Sequence, residues 1–193
     1  MKQLKLGAAL MATVLVTGCA TSPKSMDYTA FKQANPRSIL VMQPINHSNE
    51  VIAPYSVLSN VTQPLAEAGY YVLPVALVEQ TFRNNGLTVA EDMHAVPAAK
   101  LVEIFGADAA LYLEVVEYGT SYAIISSDTV VAVKARLVSL KTNQVLWEGS
   151  ASASSSEQRS GNSGGLVGML VEAAVLQIME TVTDKGFEIS TIA

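Results

Sequence analysis

The sequence predicts an α+β fold, in which a mixed sheet with the element order β-α-β-α-α-β-β-β-α carries its helices mainly on one face. Two observations lead to this class. Short apolar runs alternate with segments of helical periodicity in the first half of the chain, and three long strand-like runs follow one another in the second half. With 193 residues, 50% of them hydrophobic, the chain is long enough to build one core.

The first half is predicted to contain two strands and three helices. Residues 38–42 and 70–73 are short branched or aromatic runs bounded by prolines, which predicts buried strands, whereas residues 45–49 are polar and predict a loop. Apolar positions at helical spacing predict helices over about 54–68, 75–84 and 97–105, each followed by a glycine that suits a C-terminal cap. Pro64 lies inside the first helix and predicts a kink or a break there.

The second half predicts an antiparallel meander. Its strands are expected over residues 109–118, 129–140 and 144–153, with a hairpin turn at 141–143. In the middle run, apolar residues alternate with Lys134 and Arg136, and Glu114 and Glu148 occupy comparable positions on the flanking runs. One covered face and one wet face, with charges pairing across the strands, explain this pattern without an active site.

The carboxyl-terminal part predicts a loop and a closing helix. Residues 150–165 are rich in serine and glycine, and a helix over about 166–183 has a wide apolar arc that is expected to cover the sheet. A candidate interface lies at the start of this helix and comprises Gly165, Gly168, Met169 and Leu176, because the glycines leave the helix narrow there. This surface suits either a neighbouring subunit, which would make a homo-oligomer, or the protein's own sheet.

The first 18 residues predict a secretory signal peptide. Lys2 and Lys5 form a basic start, residues 6–16 are apolar, and small residues precede Cys19. An apolar stretch of about 11 residues is too short to span a bilayer of roughly 30 Å as a helix. We therefore expect residues 1–18 to be removed.

Residues 16–19, Val-Thr-Gly-Cys, resemble the lipobox of bacterial lipoproteins. The resemblance implies that the leader is cut between Gly18 and Cys19, and that Cys19 carries a diacylglycerol thioether and an acylated amino group. Two or three acyl chains would anchor the protein stably in a lipid bilayer. Ala20 stands where an inner-membrane protein would have Asp, which by resemblance to enterobacterial sorting implies the outer membrane, with the protein facing the periplasm. Residues 19–36 would then form the lipidated cysteine and a tether, and residues 37–193 a single domain.

No motif in the chain predicts catalysis. The formal charge of −5 argues against binding a nucleic-acid backbone, and His47 and His94 are too isolated to predict a metal site. Residues 161–165 resemble the segment around the nucleophile of trypsin-like proteases, but Asn replaces Asp there and an apolar helix follows. We therefore expect a protein with no catalytic residue and no cofactor other than the lipid on Cys19.

Five stretches together resemble the bacterial lipoproteins grouped as domain of unknown function 799. They are ILVMQPIN (39–46), GYYVLP (69–74), FGADAALY (105–112), LVSL (137–140) and VLWEG (145–149). The likeness covers essentially the whole mature chain, and it extends more distantly to the curli secretion lipoprotein CsgG and the amino-terminal domain of TolB. It implies an anticodon-binding-like α+β fold and a place in outer-membrane export or assembly machinery, often beside a CsgG-like lipoprotein. No catalytic residue is defined for the family.

The residues of these stretches have physical roles that the sequence predicts. Gly106 can adopt the left-handed conformation that turns a helix tightly into the strand from residue 109. Asp108 is expected to bond the turn amides there, and Trp147 to anchor the core.

Two functions follow as expectations. The first is a non-enzymatic, outer-membrane-anchored interaction module of an export or envelope complex, with a CsgG-like lipoprotein as its partner. The alternative is a periplasmic ligand-binding lipoprotein for a small molecule, a lipid or a cell-wall fragment. Its pocket would lie among Tyr70, Tyr71, Tyr112 and Trp147.

Overall fold

The computed structural model describes residues 27–122, 127–154 and 160–161. The helices described are α1 (Thr29–Ala34), α2 (Ala53–Glu67), α3 (Val75–Asn84), α4 (Ala90–His94) and α5 (Ala98–Phe105). The strands described are β1 (Ser38–Val41), β2 (Ile45–Asn46), β3 (Tyr71–Val72), β4 (Ala109–Tyr122), β5 (Ser127–Ser139), β6 (Val145–Ser154) and β7 (Ser160–Gly161). The predicted signal peptide (residues 1–18), with Gly18 of the predicted cleavage site, lies outside the described residues. Cys19 and the last predicted helix, with Gly165, Gly168, Met169 and Leu176, lie outside them too.

The strands form one mixed sheet, which confirms the predicted α+β class. Six strands lie in the order β3-β1-β4-β5-β6-β7, and β2 continues the line of β1 beside β4. Strands β1, β2 and β3 pair in parallel, whereas β4 to β7 form an antiparallel meander. The described turn at Lys141–Asn143 joins β5 to β6, as predicted, with Asn143 in the left-handed region at φ 55°.

Helices cover both faces of the sheet. On the first face, α1 and α2 pack against Ile39 and Val41 of β1, against residues 109, 111, 113 and 115 of β4, and against residues 131, 133, 135 and 137 of β5. On the second face, α3, α4 and α5 pack against Leu40, Met42 and Ala110. The described helices therefore lie on both faces, two on the first and three on the second, and not mainly on one face as predicted. The apolar run of β1 has no polar side because a strand between two parallel neighbours is buried on both faces.

Asp108 ties three segments together at the start of β4. Gly106 ends α5 in the left-handed conformation, at φ 65°, as predicted. The Asp108 carboxylate then accepts hydrogen bonds from the backbone amides of Arg37 (3.0 Å) and Ser38 (3.2 Å) and from Lys141 Nζ (2.7 Å). The Lys141 ammonium, together with these amides, holds the pKa of Asp108 well below its usual range. Asp108 thus bonds backbone amides, but they belong to Arg37 and Ser38 at the start of β1 and not to the turn after α5, where the sequence predicted them.

Trp147 anchors the first face, as predicted, and is only 3% exposed. Its ring lies over Gly149, two residues along the same strand. A Cβ atom added to Gly149 would lie 2.4 Å from Trp147 Cζ2. The indole therefore occupies the space of a side chain at residue 149.

Some local features differ from the predictions. Helix α1 lies inside the segment 19–36 that was expected to be a tether, and its Phe31 packs on the first face, so the folded part begins before residue 37. Helix α4 was not predicted, because five residues are too few to establish a helical period. Residues Ile45–Asn46 form a strand where a loop was expected, because their backbone pairs with β4.

Pro64 does not split α2, which runs as one helix from Ala53 to Glu67. Pro64 lies near the end of the helix, and its missing backbone N–H removes only one helical hydrogen bond. The buried side chains of Val57, Val61 and Leu65 hold both sides of Pro64 against the sheet. Burial of this face outweighs the local cost of the proline.

None of the helices among residues 27–122, 127–154 and 160–161 has the length and apolar character needed to cross a membrane.

Candidate functional site

The second face of the sheet is covered by the described helices only in part. Helices α3 to α5 pack near the start of β4, and beyond Ala110 the outward side chains of the meander become polar. Two cross-strand rows result from the register. One row is Tyr112, Arg136 and Glu148, and the other is Glu114, Lys134 and Ser150. This surface is the polar face that the alternation of residues 131–138 predicts.

A groove of about 500 Å³ lies on this surface. Its floor and walls are formed by His94, Tyr112, Glu114, Lys134, Ala135, Arg136, Glu148, Gly149 and Ser150. The volume lies in the range typical of sites for small ligands, although this lining is more polar than most. We call it the polar groove.

His94 forms the wall where the groove meets the helical layer. Its Nε2 atom lies 2.8 Å from the backbone oxygen of Gln43, and its ring meets Tyr112 edge-on at 5.2 Å. Because a carbonyl oxygen only accepts, Nε2 carries the proton and donates it. Burial lowers the pKa of His94, against the raising effects of the Gln43 carbonyl and of Glu114 and Glu91. The imidazole is therefore neutral near pH 7, with Nδ1 as an acceptor.

The two cations of the groove are not closed into ion pairs. Lys134 and Arg136 lie opposite Glu114 and Glu148 in register, yet neither forms an ion pair within 4.0 Å with a described residue. The expected pairing of charges across the strands is therefore wrong at the level of direct contacts. Solvent-exposed ion pairs stabilise a protein only slightly, so these side chains gain little by forming direct contacts.

Each cation has a different neighbour. The guanidinium carbon of Arg136 lies 5.4 Å from the centre of the Tyr112 ring, a distance typical of cation–π contacts. Burial raises the pKa of Tyr112, so its hydroxyl stays protonated. On the next row, the Glu114 carboxylate lies 3.7 Å from Nε2 of His47.

A second exposed feature lies at the start of α2 and consists of Val51, Ile52 and Tyr55, which are 84%, 59% and 43% exposed. We call it the first-turn patch. Ile52, the N-cap residue, and Tyr55 are three positions apart and so share one side of the first helical turn, and Val51 directly precedes Ile52.

The loop before α2 and the strand beside it fix this patch. Asn46 accepts hydrogen bonds from Ser48 and donates to the Glu50 carbonyl, which folds the loop. Tyr118 of β4 then donates to the Ser56 hydroxyl at 3.0 Å and ties the first turn of α2 to the sheet. The exposed apolar side chains are therefore held on an ordered turn.

The aromatic pocket expected among Tyr70, Tyr71, Tyr112 and Trp147 does not form. Tyr70 and Trp147 pack on the first face, Tyr112 lies on the second, and Tyr71 is exposed on the edge strand β3. Within residues 27–122, 127–154 and 160–161, no three His, Cys, Asp or Glu side chains come together as metal ligands.

Sequence reasoning missed His94 as part of the groove. Its partner is a backbone carbonyl 51 residues earlier, a contact that leaves no signal in the sequence. The alternation of Lys134 and Arg136 with apolar residues was the signal for the rest of the site.

The family described as "Putative lipoprotein GNA1162-like" matches residues 26–193. The chain belongs to this lipoprotein family. It is 48% identical over 193 residues to "Putative lipoprotein NMB1124/NMB1162" of Neisseria meningitidis serogroup B, covering 100% of this chain and 88% of that relative. The expectation of a lipoprotein is thereby confirmed, and membership indicates membrane anchoring. The finer likeness to domain of unknown function 799, CsgG and TolB stays a prediction.

The solved structure of a related lipoprotein agrees with this fold. The crystal structure of lipoprotein GNA1162 from Neisseria meningitidis is similar with a TM-score of 0.60 and 51% identity, over 75% of this chain and 99% of that one. The LpoB C-terminal domain from Salmonella enterica is similar with a TM-score of 0.46 and 16% identity, over 64% of this chain and 91% of that one.

Proposed function

We propose that this lipoprotein is anchored to the outer membrane through Cys19, faces the periplasm, and serves without catalysis as an interaction module of an export or envelope-assembly complex. Family membership supports the anchor. The first-turn patch is the observation that supports docking to another protein.

Exposure of the first-turn patch to water is energetically unfavourable. Single exposed apolar residues are common on soluble proteins, but a cluster held in place keeps its apolar surface in water at every moment. Val51, Ile52 and Tyr55 form such a cluster on an anchored turn. Burying a Val or Ile side chain in an interface is worth about 1.5–3 kcal/mol before the costs of association. The patch is therefore suited to an apolar recess on a partner protein.

The candidate partner is a CsgG-like lipoprotein, by the resemblance of the five stretches to proteins that act beside one. A partner held on the same membrane needs only modest intrinsic affinity, because two lipid anchors raise the effective concentration of one protein near the other.

Cross-linking in intact cells, followed by detergent extraction and affinity capture of the full lipidated protein, tests this function. The informative variant is Ile52→Asp, because an acidic residue at a helix N-terminus does not weaken the helix. The matched control is Leu77→Asp on α3, which is also an exposed apolar residue, 60% exposed. Cys19→Ser tests the contribution of the anchor.

We expect a defined envelope protein to be captured by the wild type and by Leu77→Asp, and to be lost with Ile52→Asp and reduced with Cys19→Ser. Equal capture by Ile52→Asp and the wild type would show that the patch is not the docking surface. Recovery of the monomer alone from wild-type cells would contradict the interaction module itself.

A second candidate function is periplasmic ligand binding, and the polar groove favours it. Its volume of about 500 Å³ is large enough for a small molecule. Lys134 and Arg136, which form no ion pair with a described residue, can serve as polar partners for it. Thermal-shift measurements with wall fragments and lipids test this candidate, with a rise in melting temperature as the expected result.

A further inference from the structure

We propose that the polar groove binds a short zwitterionic peptide, whose free carboxylate lies between Lys134 and Arg136 and whose ammonium lies against Glu148. This inference rests on the second candidate function and names its ligand class. It is independent of the first-turn patch.

The carboxylate site follows from the donors on β5. Lys134 and Arg136 are two residues apart on one strand, so their side chains rise from the same face about 7 Å apart at the backbone. A carboxylate between them could take a bidentate pair from the guanidinium and a third bond from the ammonium. Neither donor is committed to an ion pair with a described residue.

Tyr112 prepares Arg136 for this role. Its ring lies under the guanidinium at 5.4 Å, which limits the positions that the side chain samples before a ligand arrives. A donor already oriented loses less entropy on binding. The hydroxyl groups of Tyr112 and Ser150 lie on the same two rows and add further polar partners.

The ammonium site follows from the acids on the flanking strands. Glu148 lies opposite Arg136 and is exposed, with no ion pair to a described residue. Glu114 lies opposite Lys134, but its carboxylate already has a neighbour, because Nε2 of His47 lies 3.7 Å from it. Glu148 is therefore the freer acceptor for a ligand cation.

The charge balance of the groove separates peptides from polyanions. Two cations and two acids line it, so its formal charge is zero, and the neutral imidazole of His94 adds none. A phosphate dianion would gain from Lys134 and Arg136 but would be repelled by both carboxylates. A ligand that carries one charge of each sign satisfies both kinds of side chain, and it is not repelled by a protein of net charge −5.

The test uses isothermal titration of the full lipidated protein in detergent with four probes. They are the dipeptide alanylalanine, its C-terminal amide, its N-acetyl derivative and inorganic phosphate. We expect alanylalanine to bind, the amide and the N-acetyl derivative to bind at least about tenfold more weakly, and phosphate more weakly still.

Three variants assign the contacts. Arg136→Gln and Lys134→Gln should weaken alanylalanine at least about tenfold, because each removes a charged hydrogen bond. Glu148→Gln should weaken alanylalanine but leave the N-acetyl derivative unchanged, because that probe has no ammonium. Lys100→Gln is the matched control, since Lys100 is exposed on α5 outside the groove. Melting curves check that each variant folds.

Each result decides between distinct readings. Equal affinity for the amide, or tighter binding of phosphate than of the dipeptide, overturns the zwitterion proposal while leaving a ligand-binding groove. If Arg136→Gln and Lys134→Gln bind alanylalanine as tightly as the wild type does, the ligand lies elsewhere on the protein. That result also overturns the proposal. If none of the four probes binds, the proposal fails; if wall fragments and lipids also give no thermal shift, ligand binding fails with it.

Discussion

The imidazole of His94 donates to the backbone oxygen of Gln43 at the one point where the line formed by β1 and β2 is interrupted. Between Val41 and Ile45 this line advances four positions, whereas β4 advances three between Leu111 and Glu114. The extra residue makes a bulge, and His94 bonds a carbonyl at that bulge. One contact therefore attaches the short helix α4 to the sheet and sets the wall of the polar groove.

Replacing His94 with Ala should destabilise the protein by about 1–3 kcal/mol. The change leaves the Gln43 carbonyl without its half-buried donor and removes the edge contact with Tyr112. Urea unfolding followed by circular dichroism measures the free energy of unfolding. His47→Ala is the control, because His47 is exposed and its pairing with Glu114 is long; that variant should stay within about 1 kcal/mol of the wild type. Equal losses in the two variants would contradict the structural role of the His94 bond.

The buried imidazole should also make stability depend on pH. Because the pKa of His94 is lowered in the folded protein, the unfolded chain binds a proton at higher pH than the folded one does. The free energy of unfolding should therefore fall as the pH drops below about 6.5, and this component should level off below the folded pKa. Unfolding curves between pH 5 and pH 8 measure it, and His94→Gln should flatten the slope in that window. A slope unchanged in His94→Gln would assign it to other groups.

Asp108 should dominate its junction, and Lys141 should contribute little. Asp108→Ala leaves the amides of Arg37 and Ser38 without an acceptor and should cost about 1–3 kcal/mol. Lys141→Gln removes only an exposed ammonium and should cost less than about 1 kcal/mol. Since the pKa of Asp108 is lowered on folding, its contribution is present above the unfolded pKa of about 3.9 and is lost as the pH falls through the folded value. Thermal melts at pH 7 and pH 3 compare the variants, whose difference from the wild type should shrink at the lower pH.

Gly149→Ala should disturb the core through Trp147. The new methyl would lie 2.4 Å from the indole, so the ring or the strand must shift, at a cost of about 1–3 kcal/mol. Trp147 is the single tryptophan of the sequence, so its fluorescence reports the shift directly as a change in emission maximum. The neighbouring exposed Glu148→Ala should leave emission unchanged. Unaltered emission and stability in Gly149→Ala would mean that the ring packs elsewhere in solution.

The elements with a clear period were predictable. The prediction of a helix over residues 75–84 is confirmed to the residue, and the meander differs from its prediction mainly at strand ends. The wet face with Lys134 and Arg136 is confirmed because a strand turns alternate side chains to one side.

What could not be predicted depends on contacts between distant segments. The aromatic pocket failed because Tyr112 shares a cross-strand row with Glu148, which turns the adjacent Trp147 to the opposite face. Burial of β1 between parallel neighbours, which draws helices to both faces, likewise depends on which strands pair rather than on the run 38–42 itself.

The bulge at Gln43 also changes which residues of its own strand look outward. Before it, Ile39 and Val41 point to the first face, but after it Ile45 stands beside Glu114 and so belongs to the second. His47, two residues further, consequently reaches Glu114 at the rim of the groove. The number of residues between Val41 and Ile45 thus determines which face of the sheet each later residue of that strand points to. A chain one residue shorter there would turn the His47 imidazole toward α2 and away from Glu114, with every other residue unchanged.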